Sequence, residues 1–216
     1  MQNMVKAVRS GGVVVYPTET LYALGCDAFH EEAVRRVAEI KGRPEAKPLP
    51  LIVGDLAGLA RVTEVLARDA LTLAELFWPG PLSILVRSGP QLPALVKDTQ
   101  GFTSVRLSAN PFAAELCRLA ETALVATSAN RSGRPAAADP ADLDPELLAA
   151  VDRAWLDLPR PSGGPPSTVV RCLGGRRIEI VRSGAVPPSA LEAAGFGTVL
   201  RPWVCDAASA RKDDLP

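Results

Sequence analysis

The order strand, helix, strand is written in three segments near the start of the chain: Val13-Val-Val-Tyr16, His30-Glu-Glu-Ala-Val-Arg-Arg-Val-Ala-Glu-Ile40 and Leu49-Pro-Leu-Ile-Val53. The first is a short apolar run that Pro17 stops, which is typical of a buried strand. The second places its alanine, valine and isoleucine side chains at helical spacing, so it predicts an amphipathic helix. The third is again a short apolar run, and the three together predict an α/β protein.

The same criteria predict further elements along the chain. Further strands are predicted at Leu82–Val86, Ser104–Leu107, Ala123–Thr127, Ala154–Leu158, Ser167–Cys172 and Arg177–Val181. Further helices are predicted at Val5–Arg9, Leu56–Leu66, Ala70–Phe77, Pro111–Ala120, Pro145–Val151 and Val186–Ala194. The segment from Thr18 to Gly25 is predicted to be a loop. Because some strands are followed by helices and others by a hairpin turn, the sheet is predicted to be mixed.

Composition indicates one globular domain without a strong overall field. The 216 residues are 47% hydrophobic and 22% charged, which suits a single substantial core. Since 24 basic residues balance 24 acidic ones, any anion site must be local. No segment has the roughly 18 consecutive apolar residues of a membrane span, and no secretory pattern is present, so a cytoplasmic location is expected. The polar segment from Asp206 to Pro216 is predicted to be a disordered tail.

Cysteine and histidine usage argues against two kinds of site. The four cysteines are far apart and form no Cys-x-x-Cys pair, which argues against a zinc site or a disulfide scaffold and favours reduced thiols; they are Cys26, Cys117, Cys172 and Cys205. The one histidine, His30, precedes two glutamates and is predicted to be a surface or helix-capping residue. Histidine-dependent triads are therefore poorly supported.

Two short clusters have the chemistry of a phosphate site. Lys41, Arg43 and Lys47 follow the predicted helix within one short loop, where their charges could neutralise a phosphate. Ser128 and Asn130 follow a predicted strand, which is where ligands of open α/β sheets bind. A solvated basic loop and an ordinary capped turn are the alternatives.

Two arginines are further candidates for anion binding, and the sequence contains neither of two common phosphate-binding motifs. Arg106 and Arg182 stand in apolar surroundings and need an anionic partner, which is either a ligand or a structural salt bridge. Neither a Gly-x-x-x-x-Gly-Lys-Ser/Thr loop nor a Gly-x-Gly-x-x-Gly fingerprint occurs, so a nucleotide must be held in another way.

Several motifs occur in an order that resembles one family. They are Tyr16-Pro-Thr-Glu-Thr-Leu-Tyr-Ala-Leu-Gly25, Lys41-Gly-Arg-Pro44 with Lys47-Pro-Leu49, Trp78-Pro-Gly-Pro81, Val105-Arg106, Ser128-Ala-Asn-Arg-Ser-Gly133, Pro166-Ser-Thr-Val-Val170 and Ile180-Val-Arg-Ser-Gly184. In this order they resemble the YrdC-like threonylcarbamoyl-AMP synthases in their short, single-domain form. Each motif alone is weak, and their common order is specific.

The resemblance implies a fold and a reaction. The fold is a twisted mixed β-sheet flanked by helices with a concave, positively charged cleft, spanning residues 1–200, and residues 201–216 are then a flexible C-terminal tail. The reaction joins L-threonine, bicarbonate or CO₂, and ATP into threonylcarbamoyl-AMP and pyrophosphate, a nucleotidyltransferase activity accompanied by Mg²⁺. A separate tRNA-modifying transferase complex then uses the product to build threonylcarbamoyladenosine. A weak contact with tRNA or double-stranded RNA is left open.

The resemblance also assigns roles to single residues. The residues that it places at the ATP phosphates as catalytic groups are Lys41 and Arg43. Those that it implies for nucleotide binding besides these two are Lys47, Ser128, Asn130 and Arg182, and those for the threonine substrate are Thr20, Arg106 and Ser167. The metal ligands are not assigned. Three departures from the family pattern, at Ile52, Phe102 and Ala136, leave the shape of the substrate pocket open.

Two other functions are compatible with the resemblance. The first is a non-catalytic RNA-binding module of the same fold, against which zero net charge and 5% aromatic residues argue. The second is carbamoyl transfer in hydrogenase maturation, where a related domain occurs beside zinc-binding and transferase domains that have no counterpart in this sequence.

Overall fold

The computed structural model describes residues 1–42 and 47–200, so Arg43, Cys205 and the predicted tail at 201–216 lie outside the described residues. Helices flank two β-sheets, as expected of an α/β protein. The α-helices are α1 (Gln2–Arg9), α2 (Glu31–Lys41), α3 (Leu56–Val62), α4 (Arg68–Phe77), α5 (Pro111–Ala120), α6 (Pro145–Ala150) and α7 (Pro188–Ala193).

The strands are divided between a four-stranded and a seven-stranded sheet. They are β1 (Val14–Pro17), β2 (Tyr22–Gly25), β3 (Leu51–Val53), β4 (Leu82–Arg87), β5 (Phe102–Leu107), β6 (Leu124–Val125), β7 (Thr127–Ser128), β8 (Arg153–Ala154), β9 (Thr168–Gly174), β10 (Arg177–Arg182) and β11 (Gly197–Leu200). The orders are β7-β2-β1-β8 and β11-β10-β9-β4-β5-β3-β6. Each sheet contains parallel and antiparallel pairs, which confirms the predicted mixed character.

The segment from Thr18 to Gly25 is not a loop, as the sequence predicts, because its second half forms β2. The Thr18 backbone N–H and hydroxyl both donate to the carbonyl of Leu21, at 3.1 and 2.7 Å, and close a tight turn. The chain then pairs straight back onto β1 in antiparallel register. Thr18, Glu19 and Thr20 therefore occupy the turn of a β-hairpin.

The predicted strand Ala123–Thr127 is wrong as a single element. Its first half, β6, pairs with β3 of the seven-stranded sheet, and β7 pairs with β2 of the four-stranded sheet. Between them the N–H of Ala126 donates to the carbonyl of Pro50 at 2.8 Å. An apolar run does not reveal which sheet each half joins, so the sequence could not show this crossing. A Cβ at Gly25 would lie 1.8 Å from the carbonyl oxygen of Val125, so the hairpin can approach the crossing only because glycine stands there.

Several helix ends were predicted correctly and others were not. Asn110 caps α5 by accepting from the N–H groups of Phe112 and Ala113 at 3.0 and 3.3 Å, and His30 caps α2 by accepting from Ala33 at 3.2 Å. Helix α3 ends four residues earlier than predicted, at Val62, whose carbonyl accepts a hydrogen bond from the N–H of Gly89. Of the predicted strand Ala154–Leu158 only Ala154 is in a strand, and β11 was not predicted.

The seven-stranded sheet leaves part of one face open. The residues Leu82, Ile84 and Val86 of β4 point into the main core, where α4 packs. The alternate residues of β4 and β5 point to the other face, and several are half-buried or exposed: Leu85, Arg87, Phe102 and Ser104. Because side chains alternate along a strand, Ser83 and Arg106 belong to this second face, where they are buried.

Candidate active site

Lys41 joins the two clusters that the sequence singles out. It is the last residue of α2, and its side chain is buried instead of projecting from a loop as predicted. Its Nζ lies 2.7 Å from Ser128 O, 3.2 Å from Ser128 Oγ, 2.9 Å from Asn130 O and 3.0 Å from Asn130 Oδ1. An ammonium group has three hydrogens, so four oxygens at these distances occupy all of them.

The side chain of Asn130 is also fully engaged within the protein. Its Oδ1 accepts from Ser128 Oγ as well as from Lys41, and its Nδ2 donates to the carbonyls of Arg131 and Arg134. The N–H of Ser132 donates at 2.8 Å to the carbonyl of Lys41, one of the groups that the end of a helix leaves unpaired. Residues 128–134 therefore wrap around the C-terminal end of α2, and Lys41 holds the wrap from inside.

A second polar group surrounds Glu19. Arg106 Nη1 donates to Glu19 Oε1 and Ser108 Oγ donates to Glu19 Oε2, the latter at 2.6 Å. The side chains of Arg106 and Glu19 are only 7% and 14% exposed. Of the two kinds of partner predicted for Arg106, the structure shows the salt bridge, with Glu19 as the anionic residue. Glu19 is absent from the site residues predicted from the sequence, although its place between two threonines after a buried strand is a usable signal.

A third group connects the ends of β4, β9 and β10. Ser83 Oγ and Ser167 Oγ are 3.0 Å apart, and both side chains are buried. Arg182 donates to the Ser167 carbonyl through Nε at 3.1 Å and through Nη2 at 2.8 Å, and Nη2 is 3.0 Å from Ser167 Oγ. The predicted threonine residue Ser167 and the predicted nucleotide residue Arg182 are therefore in direct contact.

The hairpin turn at Thr18–Leu21 lies between these groups. The N–H of Ala129 donates to Tyr22 O at 2.8 Å, which joins the turn to the Lys41 group. The N–H groups of Ser162 and Gly163 donate to the carbonyls of Glu19 and Thr20 at 3.1 and 2.9 Å, so the glycine- and proline-rich loop before Ser167 rests on the same turn. Thr20 is buried beneath that loop.

The remaining predicted residues lie at different distances from this centre. Ile52 is fully buried and stands opposite Arg106 in the parallel register of β3 and β5. Phe102 is at the other end of β5, about 13 Å from Arg106 at 3.3 Å per residue, and packs against the guanidinium groups of Arg87 and Arg171. The departure at Phe102 therefore does not bear on the Arg106 pocket. Ala136 and Lys47 are exposed.

The tyrosine and cysteine side chains that burial shifts are protonated and do not act as nucleophiles. Burial raises the pKa of Tyr16 well above its usual value, and its hydroxyl donates to Val125 O at 2.7 Å. Burial also raises the pKa of Cys117 to about 12 and that of Cys172 to about 11, and the pKa of Cys26 is raised as well. These three cysteines are free thiols, which confirms the prediction for the described part of the chain.

The fold and these contacts define an α/β protein whose polar groups converge at strand ends beside the open face of a mixed sheet. The chain matches the model of the Sua5_yciO_yrdC family, described as "Telomere recombination", over residues 6–184, and it belongs to that family. The threonylcarbamoyl-AMP synthase of Stenotrophomonas maltophilia is 40% identical over 156 residues, or 70% of this chain and 83% of the relative. That of Methylococcus capsulatus is 36% identical over 174 residues, or 80% and 92%.

A solved structure agrees with this assignment. The structure of P. abyssi Sua5 complexed with L-threonine superposes with a TM-score of 0.83 at 28% identity over 92% of this chain. This chain spans 58% of that longer protein. Among the helices of residues 1–42 and 47–200, none has the length and apolarity to cross a membrane.

Proposed function

We propose that the chain is an L-threonylcarbamoyladenylate synthase, a nucleotidyltransferase that forms threonylcarbamoyl-AMP and pyrophosphate from L-threonine, bicarbonate or CO₂, and ATP. Membership of the family and relatives named threonylcarbamoyl-AMP synthase support this activity. The observation that carries the proposal is the convergence of two polar groups on one hairpin turn, one around Lys41 and one around Arg106. Two subsites that share a turn can hold two substrates side by side.

The subsite beside Arg106 suits an amino acid. Nη1 of Arg106 is bonded to Glu19, whereas Nε and Nη2 make no hydrogen bond to any described residue. A guanidinium edge of this kind binds a carboxylate through two parallel hydrogen bonds. Thr20 lies one residue beyond Glu19. Ser167, which directly precedes β9, contacts Ser83 of the adjacent strand β4. These residues are proposed to bind L-threonine.

The subsite beside Lys41 suits the nucleotide. The positive charge of Lys41 lies beneath the wrap formed by residues 128–134, so it favours a phosphate there even though its hydrogens are engaged. Ser128 and Asn130 shape that wrap, and Arg182 lies toward the threonine side. Lys47 is exposed on the segment after α2 and is proposed, with Arg43, to approach the outer phosphates.

The chemistry requires positioning more than covalent participation by the protein. The neutral threonine amine attacks CO₂ and releases a proton, which gives an N-carboxylate. An oxygen of this carbamate then attacks the α-phosphorus of ATP, the bond to the β-phosphate oxygen breaks, and pyrophosphate leaves. Both partners are anionic, so fixed cationic groups and close placement lower the barrier.

Mg²⁺ is proposed to arrive with ATP. The described residues contain no cluster of three or more histidine, cysteine, aspartate or glutamate side chains that could hold a metal ion. They therefore fit a Mg²⁺ that is ligated chiefly by phosphate oxygens and water, for which one or two carboxylates are enough. When bound, such an ion neutralises charge on the triphosphate.

The product is an activated carbamate, so a second enzyme has to use it. A tRNA-modifying transferase complex in the cytoplasm is the proposed consumer, which fits the resemblance to tRNA-modification enzymes.

The direct test is a product assay. The purified chain with ATP, Mg²⁺, L-threonine and bicarbonate should release pyrophosphate and form threonylcarbamoyl-AMP, identified by mass spectrometry. Omission of either threonine or bicarbonate should abolish the release. Pyrophosphate release that continues without threonine would contradict the proposal, and an inactive chain that binds tRNA would favour the RNA-binding alternative.

A substitution at Arg106 tests the assignment of the two subsites. Arg106→Lys keeps the charge but loses the planar fork, so it should raise the KM for threonine strongly and leave the KM for ATP almost unchanged. Arg171→Lys is a matched control. Arg171 is also ion-paired on this sheet, but its guanidinium packs against Phe102, at the other end of β5 from Arg106. Equal changes of both KM values in Arg106→Lys would show that the subsites are assigned wrongly.

A further inference from the structure

Glu19 is placed where it can determine which form of a substrate binds beside Arg106. We propose that Glu19 is a specificity-determining residue that contacts the amine of the amino acid, so that the Glu19–Arg106 pair recognises a zwitterion and excludes phosphate anions. This inference rests on the proposed function, because it concerns the same threonine subsite.

The burial of the pair indicates a use other than stability. Glu19 and Arg106 have side chains that are 14% and 7% exposed. Removing two charges from water costs about as much as their attraction returns, so a buried ion pair seldom adds net stability. A charge pair at the open face of the sheet, within the converging polar groups, is better explained by recognition of a charged ligand.

The carboxylate of Glu19 is held in one orientation from several directions. Ser108 donates to its Oε2, and the Ser108 hydroxyl in turn accepts from the N–H of Asn110 at 3.2 Å. The Nδ2 of Asn110 donates to the carbonyl of Thr18 at 3.2 Å, which closes the chain of contacts back onto the hairpin turn. The end of β5, the start of α5 and the turn therefore all fix Glu19, which is the kind of preorganisation that a recognition site needs.

Hydrogen-bonding capacity remains on both members of the pair. A carboxylate can accept about four hydrogen bonds, and the described residues supply two of them to Glu19, one from Arg106 and one from Ser108. Arg106 keeps Nε and Nη2 for a ligand, as described above. A molecule with a carboxylate and an ammonium group on the same carbon matches such a pair of charges, because each end finds its opposite.

The net charge of the pair matters because the proposed nucleotide subsite beside Lys41 shares the same hairpin turn. An unpaired Arg106 would attract ATP, pyrophosphate or bicarbonate as readily as an amino acid. With Glu19 beside it the local charge is zero, so a dianion gains little there and meets repulsion from the carboxylate. Such discrimination by a repulsive group is a common route to specificity.

The experiment measures binding instead of turnover. L-threonine and N-acetyl-L-threonine, which lacks the charged amine, are titrated calorimetrically into the wild-type chain with and without a non-hydrolysable ATP analogue. The wild type should bind N-acetyl-L-threonine at least about tenfold more weakly than L-threonine, since a hydrogen bond between charged groups is lost. Equal binding of the two by the wild type overturns the inference whatever the variants do.

Two variants and a control then locate the effect. Glu19→Gln keeps the shape and removes the charge, so L-threonine binding should weaken about tenfold or more and the preference for the free amine should disappear. Pyrophosphate should also become a competitor of threonine in this variant. Glu19→Asp keeps the charge and should retain the preference. The control is Glu179→Gln, which removes a partly buried glutamate near Arg171 on the same sheet and should behave like the wild type.

The outcomes separate the inference from the function on which it rests. A wild type that binds no threonine, with or without the ATP analogue, overturns the proposed function and this inference with it. A wild type that binds threonine, together with a Glu19→Gln variant that keeps both its affinity and its preference, overturns the inference alone and leaves Glu19 as the structural partner of Arg106. Thermal unfolding of each variant shows whether it is folded. If Glu19→Gln does not fold, the inference is tested by the wild-type affinities for L-threonine and N-acetyl-L-threonine.

Discussion

Replacing Lys41 by methionine should separate a lysine that holds a loop from a lysine that grips a phosphate. Methionine keeps the unbranched stem and deletes the ammonium, so four oxygens lose their donor: two carbonyls, the Ser128 hydroxyl and the Asn130 amide. A hydrogen bond to a charged group contributes about 1.5–3 kcal/mol, and buried acceptors left without a donor add to the loss. We expect the free energy of unfolding to fall by about 3 kcal/mol, which corresponds to roughly 6–12 °C in Tm for a chain of this length.

Activity should fall together with stability, because the wrap formed by residues 128–134 loses its support. Turnover should drop by about 10²-fold, and the KM for ATP should rise. The measurements are thermal unfolding by circular dichroism and the steady-state release of pyrophosphate. Lys6→Met is the control, since Lys6 also lies in the last turn of a helix but is exposed, and its Tm should change little.

A double substitution tests whether Lys41 and Asn130 stabilise the chain together. Lys41 and Asn130 act as one unit, so the losses of stability in Lys41→Met and Asn130→Ala should not add, and their coupling should exceed about 1 kcal/mol. If the Tm of Lys41→Met matches that of Lys6→Met while turnover is lost, the ammonium is free to bind phosphate and the reasoning is refuted.

Two further substitutions test other parts of the structure. In Gly184→Ala the new Cβ would lie 2.1 Å from the carbonyl oxygen of Pro166, so we expect Ser167 to be displaced, the KM for threonine to rise and the Tm to fall, and unchanged values of both would contradict the close approach. Cys117 has a pKa of about 12 against its ordinary value of about 9, so the folded chain keeps its proton more firmly than the unfolded chain. The stabilisation from that difference is complete below pH 9 and is lost as the pH rises toward 12. In Cys117→Ala the decline of Tm between pH 9 and 11 should therefore be shallower than in the wild type, and identical slopes would show that this thiol does not contribute.

The sequence predicted those parts of the fold that follow from local pattern. Asn110 before Pro111 predicts the start of α5 correctly, because a side-chain cap and a proline act within one turn. The hairpin of β9 and β10 follows in the same way from Gly174 and Gly175 between two apolar runs. By contrast, β7 and β2 depend on partners far along the chain, so periodicity alone could not assign them.

The candidate site shows the same division. The sequence identified Lys41, Ser128, Asn130 and Arg106 as chemically notable, and the structure brings the first three into direct contact. The sequence could not show that Lys41 is buried, because a lysine at a helix end has the same local pattern whether it faces solvent or a loop some 90 residues later. The pairing of Arg106 with Glu19 was likewise invisible, since these residues are 87 positions apart.

The pairing of early strands with late ones has a consequence for how this chain is made on the ribosome. One edge of β1 stays unpaired until β8, which begins at Arg153, has been synthesised. One edge of β4 likewise stays unpaired until β9, which begins at Thr168, has been synthesised. At the usual 5–20 residues per second, β4 stays without that neighbour for roughly 4–16 s after it has been synthesised. During this time an apolar strand exposes its backbone to any other chain, and such distant pairings also fold slowly once the partner arrives. The nascent chain, more than the finished protein, is therefore the form that is most exposed to aggregation.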